Sequence, residues 1–241
     1  VSEPIALVAP RSFGSLRLND CRLEADALIG TSGMGYRYAM EILDFYRVSV
    51  AAAALGFCRR AADASLAWSR ERQVFGAPLF DLQLTKDKLA GMAVVLDAAA
   101  LLTARAAWAF DTGRAGTTQA ASVAKLYATD QAQQVVDDAL QLFGAAGLVE
   151  GSTTEQLYRQ IRSLRIYEGS SEIQNLIIAS CLAKQTRRAA VPAPPADAAG
   201  IHAQGAGFWP LALARDLDDA MMHLRLNETE IGTWVLQSQG D

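Results

Sequence analysis

From Gly35 onward, apolar residues recur at spacings of three and four: Leu43, Tyr46, Val50, Ala54, Phe57, Ala61, Ala64 and Trp68. That period lines one face of an α-helix and no single face of a strand. The spacing predicts a helix over 35–71, which at 1.5 Å per residue reaches roughly 50 Å. A second helix is expected over about 80–112, stopping at Asp111-Thr112-Gly113, and a third over about 116–143, ending at Gly144. A fourth begins near Ser170 and fades by Arg188. Four long helices with short connections predict a mainly α fold, an up-down four-helix bundle. Alanine is abundant along all of them, which permits close helix approach, and the Leu, Met and aromatic positions read as core.

The flanks differ from this centre. Residues 1–32 read as short strands and turns: Ala6 to Ala9 is apolar, Pro10 to Gly14 is turn-like, and Leu16, Leu18, Cys21 and Leu23 alternate with polar neighbours. That is too little strand for a domain of its own. Residues 33–188 form the helical unit. Residues 189–200 are rich in proline and alanine and read as a linker. Over 201–241, Trp209 to Leu226 reads as a helix and Ile231 to Leu236 as a strand.

Bulk properties exclude several function classes. At 241 residues with 51% hydrophobic content, the chain can build a sizeable core. A net charge of −4 argues against non-specific nucleic-acid binding. Cys21, Cys58 and Cys181 have no metal-ligand spacing, and their odd number argues against a disulfide framework, so no metal is expected and a reducing, cytoplasmic compartment is. No run reaches the roughly 18 apolar residues of a membrane span; the longest candidate, Val48 to Cys58, is bounded by Arg47 and by Arg59 and Arg60. No signal peptide is evident, and because Val1 is not a start methionine, the chain is expected to begin mid-protein.

The chemistry concentrates at Tyr167-Glu168-Gly169-Ser170, inside the run from Arg165 to Gln174. A hydroxyl at Ser170 or Ser171 can cap the helix that follows, by accepting from its unpaired N–H groups. Glu168 then lies just outside a helix N-terminus, flanked by Ile166 and Tyr167. On position alone it reads either as a base in a pocket or as a solvated loop residue.

Five segments in register carry a resemblance. They are Leu43 to Arg47, Glu71 to Pro78, Gln83, Ala139 to Gly147, and Ile166 to Gln174. From about Gly14 to Lys184 the chain resembles the C-terminal half of the acyl-CoA dehydrogenase family, flavoenzymes that desaturate acyl-CoA thioesters. The first 32 residues match only the last strands of that family's middle β-domain. The resemblance implies FAD as cofactor, acyl-CoA as substrate and Glu168 as the base that removes the α-proton while a hydride leaves the β-carbon. It implies thioester polarisation by the backbone N–H of Glu168 and a flavin hydroxyl.

The resemblance places Arg72, Phe75 and Gln83 on the adenosine diphosphate portion of FAD, often from a neighbouring subunit. It places Gln141 and the Gly144–Gly147 turn on a second dinucleotide-binding stretch. Ser170 and Glu172 match positions beside the adenine and phosphates. Asp44, Arg47, Tyr167 and Gly169 fall on the substrate side, although Asp44 and Arg47, three apart, also read as a local ion pair. It further implies a homo-oligomer, or a partner subunit that supplies the missing domains. There are departures: Val74 stands where many members have threonine, which costs a cofactor hydrogen bond of roughly 0.5–1.5 kcal/mol, and Ala145 and Ala146 replace residues that are often glycine or asparagine.

The tail over 195–241 resembles part of the crotonase superfamily, closest to benzoyl-CoA-dihydrodiol lyases, an association with aromatic acid catabolism. It is too short to build that site, and His202 and His223 are expected to be surface residues. The chain therefore reads as an oxidoreductase half, alternatively as a non-catalytic helical assembly module of the same family. A fragment, a split two-chain enzyme and a recombined reading frame are the three origins consistent with the absent domains.

Overall fold

The computed structural model describes residues 2–9 and 12–185. Three long helices dominate: α1 (Gly35–Glu71), α2 (Gln83–Asp111) and α3 (Thr117–Phe143). Their bounds lie within three residues of those expected from the periodicity. Chain reversal follows from the connections. After α1, a two-residue antiparallel pair, β3 (Gln73–Val74) with β4 (Ala77–Pro78), turns the chain towards α2. After α2, the N–H and hydroxyl of Thr112 both donate to Trp108 O, and Gly113 and Gly116 take positive φ.

The core is an alanine seam. Ala51, Ala54 and Ala61 of α1, Ala99 and Ala106 of α2, and Ala124, Ala128, Ala132 and Ala139 of α3 are buried together with Val50, Cys58, Met92, Val135 and Val136. Methyl-sized contacts let helix axes approach closely, and α1 and α3 form the most extensive contact. Four buried hydroxyls bond along the helices themselves: Ser65, Ser69, Thr103 and Thr129 each donate to the carbonyl four residues earlier.

A helix that the periodicity did not predict follows. α4 (Thr153–Ile161) packs on α3 and α1 through Leu157 and Ile161, with Leu164 buried in the 3-10 turn that succeeds it. Ser152 Oγ accepts from Glu155 N, and the Glu155 carboxylate accepts from Gly151 N at 3.0 Å. Ser152 is thus the N-cap, and Glu155 reaches back one residue further, to the N–H before the cap, a variant of the capping box legible as Ser-Thr-Thr-Glu. Gly147 lies between α3 and α4, where a Cβ would come within 2.8 Å of Phe143 Cβ and 2.9 Å of Leu140 O. This glycine serves the packing of the two helices. α5 (Ser171–Gln185) then leaves the bundle, with Ile173, Leu176 and Leu182 exposed.

Two expectations need correction. The first strand is β1 (Ser2–Pro4), paired antiparallel with β2 (Gly14–Leu16); Ala6 to Ala9 is not strand. The chain leaves the ladder after Pro4, and Ile5 N still bonds across, to Phe13 O at 2.8 Å. Second, α2 is long and apolar enough, by length and composition, to cross a membrane. No unbroken apolar run spans it, because scattered charges such as Asp97 and Arg105 interrupt an alanine-rich stretch. In the bundle its Met92, Ala99, Thr103, Ala106 and Ala109 are buried. Cys21, Cys58 and Cys181 are free thiols. The linker over 189–200, the helix and strand expected beyond it, the crotonase-like segment, His202 and His223 lie outside the described residues.

Candidate active site

The loop between the 3-10 turn Arg162–Arg165 and α5 carries Glu168 at φ +58° and Gly169 at φ +91°. A left-handed backbone costs a non-glycine residue roughly 1–2 kcal/mol. A side chain at Gly169 is strained at φ +91°, and its Cβ would lie 2.7 Å from Gln174 Nε2 and displace that amide. The two carbonyls of this bend are gripped from three helices. Arg47 Nε of α1 donates to Glu168 O at 3.3 Å, and Lys125 Nζ of α3 donates to Gly169 O at 2.8 Å. Gln174 Nε2 of α5 donates to both carbonyls at 3.0 Å. Arg47, Lys125 and Gln174 are all buried. Charge-assisted bonds of this kind are worth about 1.5–3 kcal/mol each, enough to offset the strain.

The Glu168 carboxylate differs from the backbone beneath it. Its Oε2 is buried, and no hydrogen-bond partner reaches it among the described residues. A carboxylate oxygen without donors keeps its lone pairs for a proton. Around it, charges of both signs alternate. Arg47 pairs with Asp44 at 2.8 Å, and Thr118 Oγ1 donates to the other Asp44 oxygen at 2.5 Å. Asp130 accepts from Arg165 Nε at 2.7 Å and from Ser171 Oγ at 2.6 Å. Among the described residues, Lys125 sits amid these groups without an ion-pair partner in contact. Burial pushes its ammonium down to about 8; Asp130 and then Glu168 pull it up, while Arg47 and Arg165 press it down.

The other residues singled out in the sequence divide between two ends of the bundle. Asp44, Arg47, Tyr167, Gly169, Ser170 and Glu172 lie with Glu168. Asp44 and Arg47 make the local ion pair, and Arg47 in addition holds the Glu168 carbonyl. Tyr167 packs on the core. Ser170 O accepts the first bond of α5, from Gln174 N, so Ser170 occupies the cap position. Its hydroxyl donates to the Glu172 carboxylate, which is held below its ordinary range by that bond first and by its own backbone N–H second.

Arg72, Phe75, Gln83, Gln141 and Gly144 gather at the opposite end, where α1 and α3 finish and α2 begins. Trp68 Nε1 donates to Leu142 O at 3.2 Å and its ring stacks on Phe143, which ties the two finishing ends together. Leu79 N donates to Arg72 O, and Lys88 pairs with Asp138. Phe75 has φ +51° and is 98% exposed at the tip between β3 and β4. Val74 is half-buried beside it. At 1.5 Å per residue, about 37 Å of α1 separates the level of Arg47 from that of Arg72.

Reasoning from sequence missed Lys125, Gln174, Asp130 and Thr118. A signal existed for the first: Lys125 lies four residues from both Ala121 and Thr129, on the buried stripe of α3. The apolar groove of about 420 Å³ between α1 and α2, lined by Phe45, Val48, Leu55, Ala104 and Phe110 among others, lies on another face of α1.

A family profile described as acyl-CoA dehydrogenase, C-terminal domain, matches residues 33–183. The chain is 41% identical over 176 residues to a mitochondrial short-chain specific acyl-CoA dehydrogenase of Homo sapiens, across 73% of this chain and 42% of that one. It is 37% identical over 168 residues to a cyclohexane-1-carbonyl-CoA dehydrogenase of Geobacter metallireducens, across 70% and 44%. Among solved structures, butyryl-CoA dehydrogenase from Megasphaera elsdenii superposes with a TM-score of 0.73 at 31% identity, across 75% of this chain and 48% of that one. The chain thus spans less than half the length of each of these proteins.

Proposed function

The chain belongs to the acyl-CoA dehydrogenase family through that family's C-terminal domain, and from that membership we propose that it takes part in flavin-dependent α,β-desaturation of an acyl-CoA thioester, with Glu168 as the base. The observation that carries the reading is the buried, unpartnered Oε2 of Glu168 on a backbone held from three helices. The α-proton passes from the substrate carbon to that oxygen: a C–H bond breaks and an O–H bond forms. Geometry favours such a transfer when the base cannot swing away, and the bonds to the Glu168 and Gly169 carbonyls restrict it.

FAD, when bound, accepts the hydride from the β-carbon. The residues at the far end suit its adenosine diphosphate portion: an exposed aromatic ring at Phe75, the Arg72 guanidinium, whose fork pairs with phosphate oxygens, and the amides of Gln83 and Gln141 beside Gly144. Their distance from Glu168 supports an assembly in which one chain supplies the base and a second chain holds the far part of the same FAD. Acyl-CoA is the substrate class, and a partner chain or further domains close its pocket.

The test is acyl-CoA-dependent bleaching of flavin absorbance in protein reconstituted with FAD. Glu168→Gln is expected to retain FAD and lose bleaching by several orders of magnitude. Bleaching at the parent rate in that variant would reject Glu168 as the base.

A further inference from the structure

We propose that Lys125 is a positioning residue for Glu168, a protonated clasp that fixes the bend carrying the base; this rests on the reading of Glu168 given above. A lysine is out of place on the buried stripe of α3. Its neighbours on that stripe, Ala121, Ala124, Ala128 and Thr129, are small, and its own side chain is fully buried. An ammonium in such a place costs free energy unless it is paired. Yet Asp130, the nearest carboxylate on its own helix, is engaged by Arg165 and Ser171. Lys125 spends its charge on the carbonyl of Gly169, the residue after the base.

Three donors hold this bend, and they differ in one property. The Gln174 amide is neutral and the Arg47 guanidinium stays charged throughout the working pH range. Lys125 alone can lose its proton there. The charged groups facing it are Arg47 from α1, Asp130 on α3, Arg165 from the turn before the loop, and Glu168 itself, while α5 contributes the neutral Gln174. Burial outweighs the carboxylates, so the ammonium releases its proton near pH 8. The neutral amine is a weaker donor without charge, so the clasp loosens as pH rises through that value.

Two measurements on the FAD-reconstituted protein test this. The first is amide hydrogen exchange of residues 166–171, corrected for intrinsic rates, in the parent and in Lys125→Met. Faster exchange in this loop, with α1–α3 unchanged, is expected in Lys125→Met; equal protection would overturn the proposal whether or not the protein turns over substrate. The second is the pH profile of flavin bleaching. The parent is expected to lose rate above about pH 8, whereas Lys125→Arg carries its charge further and shifts that loss upward. Lys125→Met is expected to be slower by roughly tenfold to a hundredfold at neutral pH, with no such limb and unchanged FAD affinity. A parent-like profile in Lys125→Met would overturn the proposal. A parent protein that binds FAD but never bleaches, while its loop still loosens in Lys125→Met, would count against Glu168 as a base and not against the clasp.

Discussion

Lys125 and Gly169 carry the sharpest consequences at the scale of single residues. The Lys125 ammonium titrates near 8 in the fold, against 10.5 for the free side chain. Between those values the folded chain binds fewer protons than the unfolded one. The burial penalty is therefore fully present below about pH 8 and relieved as pH rises towards 10.5, so stability increases across that window by at most about 3 kcal/mol. Denaturant melts at pH 7 and pH 10 should show this slope in the parent and lose it in Lys125→Met; an unchanged slope would assign the window to other groups. Gly169→Ala adds a Cβ 2.7 Å from Gln174 Nε2 at φ +91°. Its cost is expected to be about 2 kcal/mol or more, with bleaching lost alongside stability. Glu168 stood out through the family resemblance of Ile166 to Gln174, since position alone left it equally a solvated loop residue. Lys125 did not, because lysine in an amphipathic helix ordinarily faces water. Only its register against Ala121 and Thr129 betrays it.

The elements were legible in proportion to their length. Eight apolar residues in step over α1 leave little freedom, and α2 and α3 follow the same rule. α4 has only nine residues, too few for periodicity to stand out, and its evidence was the cap. Removing that cap with Ser152→Ala should cost about 1 kcal/mol, read as a lower thermal midpoint. The loss should stay local: α4 frays and the 3-10 turn behind it follows, so amide exchange should rise over 153–165 before it rises in α1. β1 was misplaced because the apolar string at 6–9 reads as strand by composition. Cross-strand bonding, which composition does not encode, placed the ladder at Ser2–Pro4.

For the whole molecule, the separation of Glu168 from the Arg72 and Phe75 cluster sets the expected behaviour. If one flavin is served by two chains, Glu168→Gln and Arg72→Ala chains, each inactive alone, should complement one another when refolded together. In a symmetric dimer with random mixing, about a quarter of sites recover both functions. No recovery, with mixed dimers demonstrated by tagged pull-down, would put base and cofactor contacts in one chain. Chain sharing is invisible to periodicity, since no residue pattern states which copy a side chain serves. The alanine seam sets the mechanical quality of the assembly. Alanine has no χ angle through which to yield, so an extra methyl on the seam displaces a whole helix instead of a side chain. Arg47 rides on α1 and Lys125 on α3, the two helices in most extensive contact. The gap between those two grips on the bend is thus machined to the tolerance of a methyl group, and wear anywhere along the seam is transmitted to the carboxylate at its end.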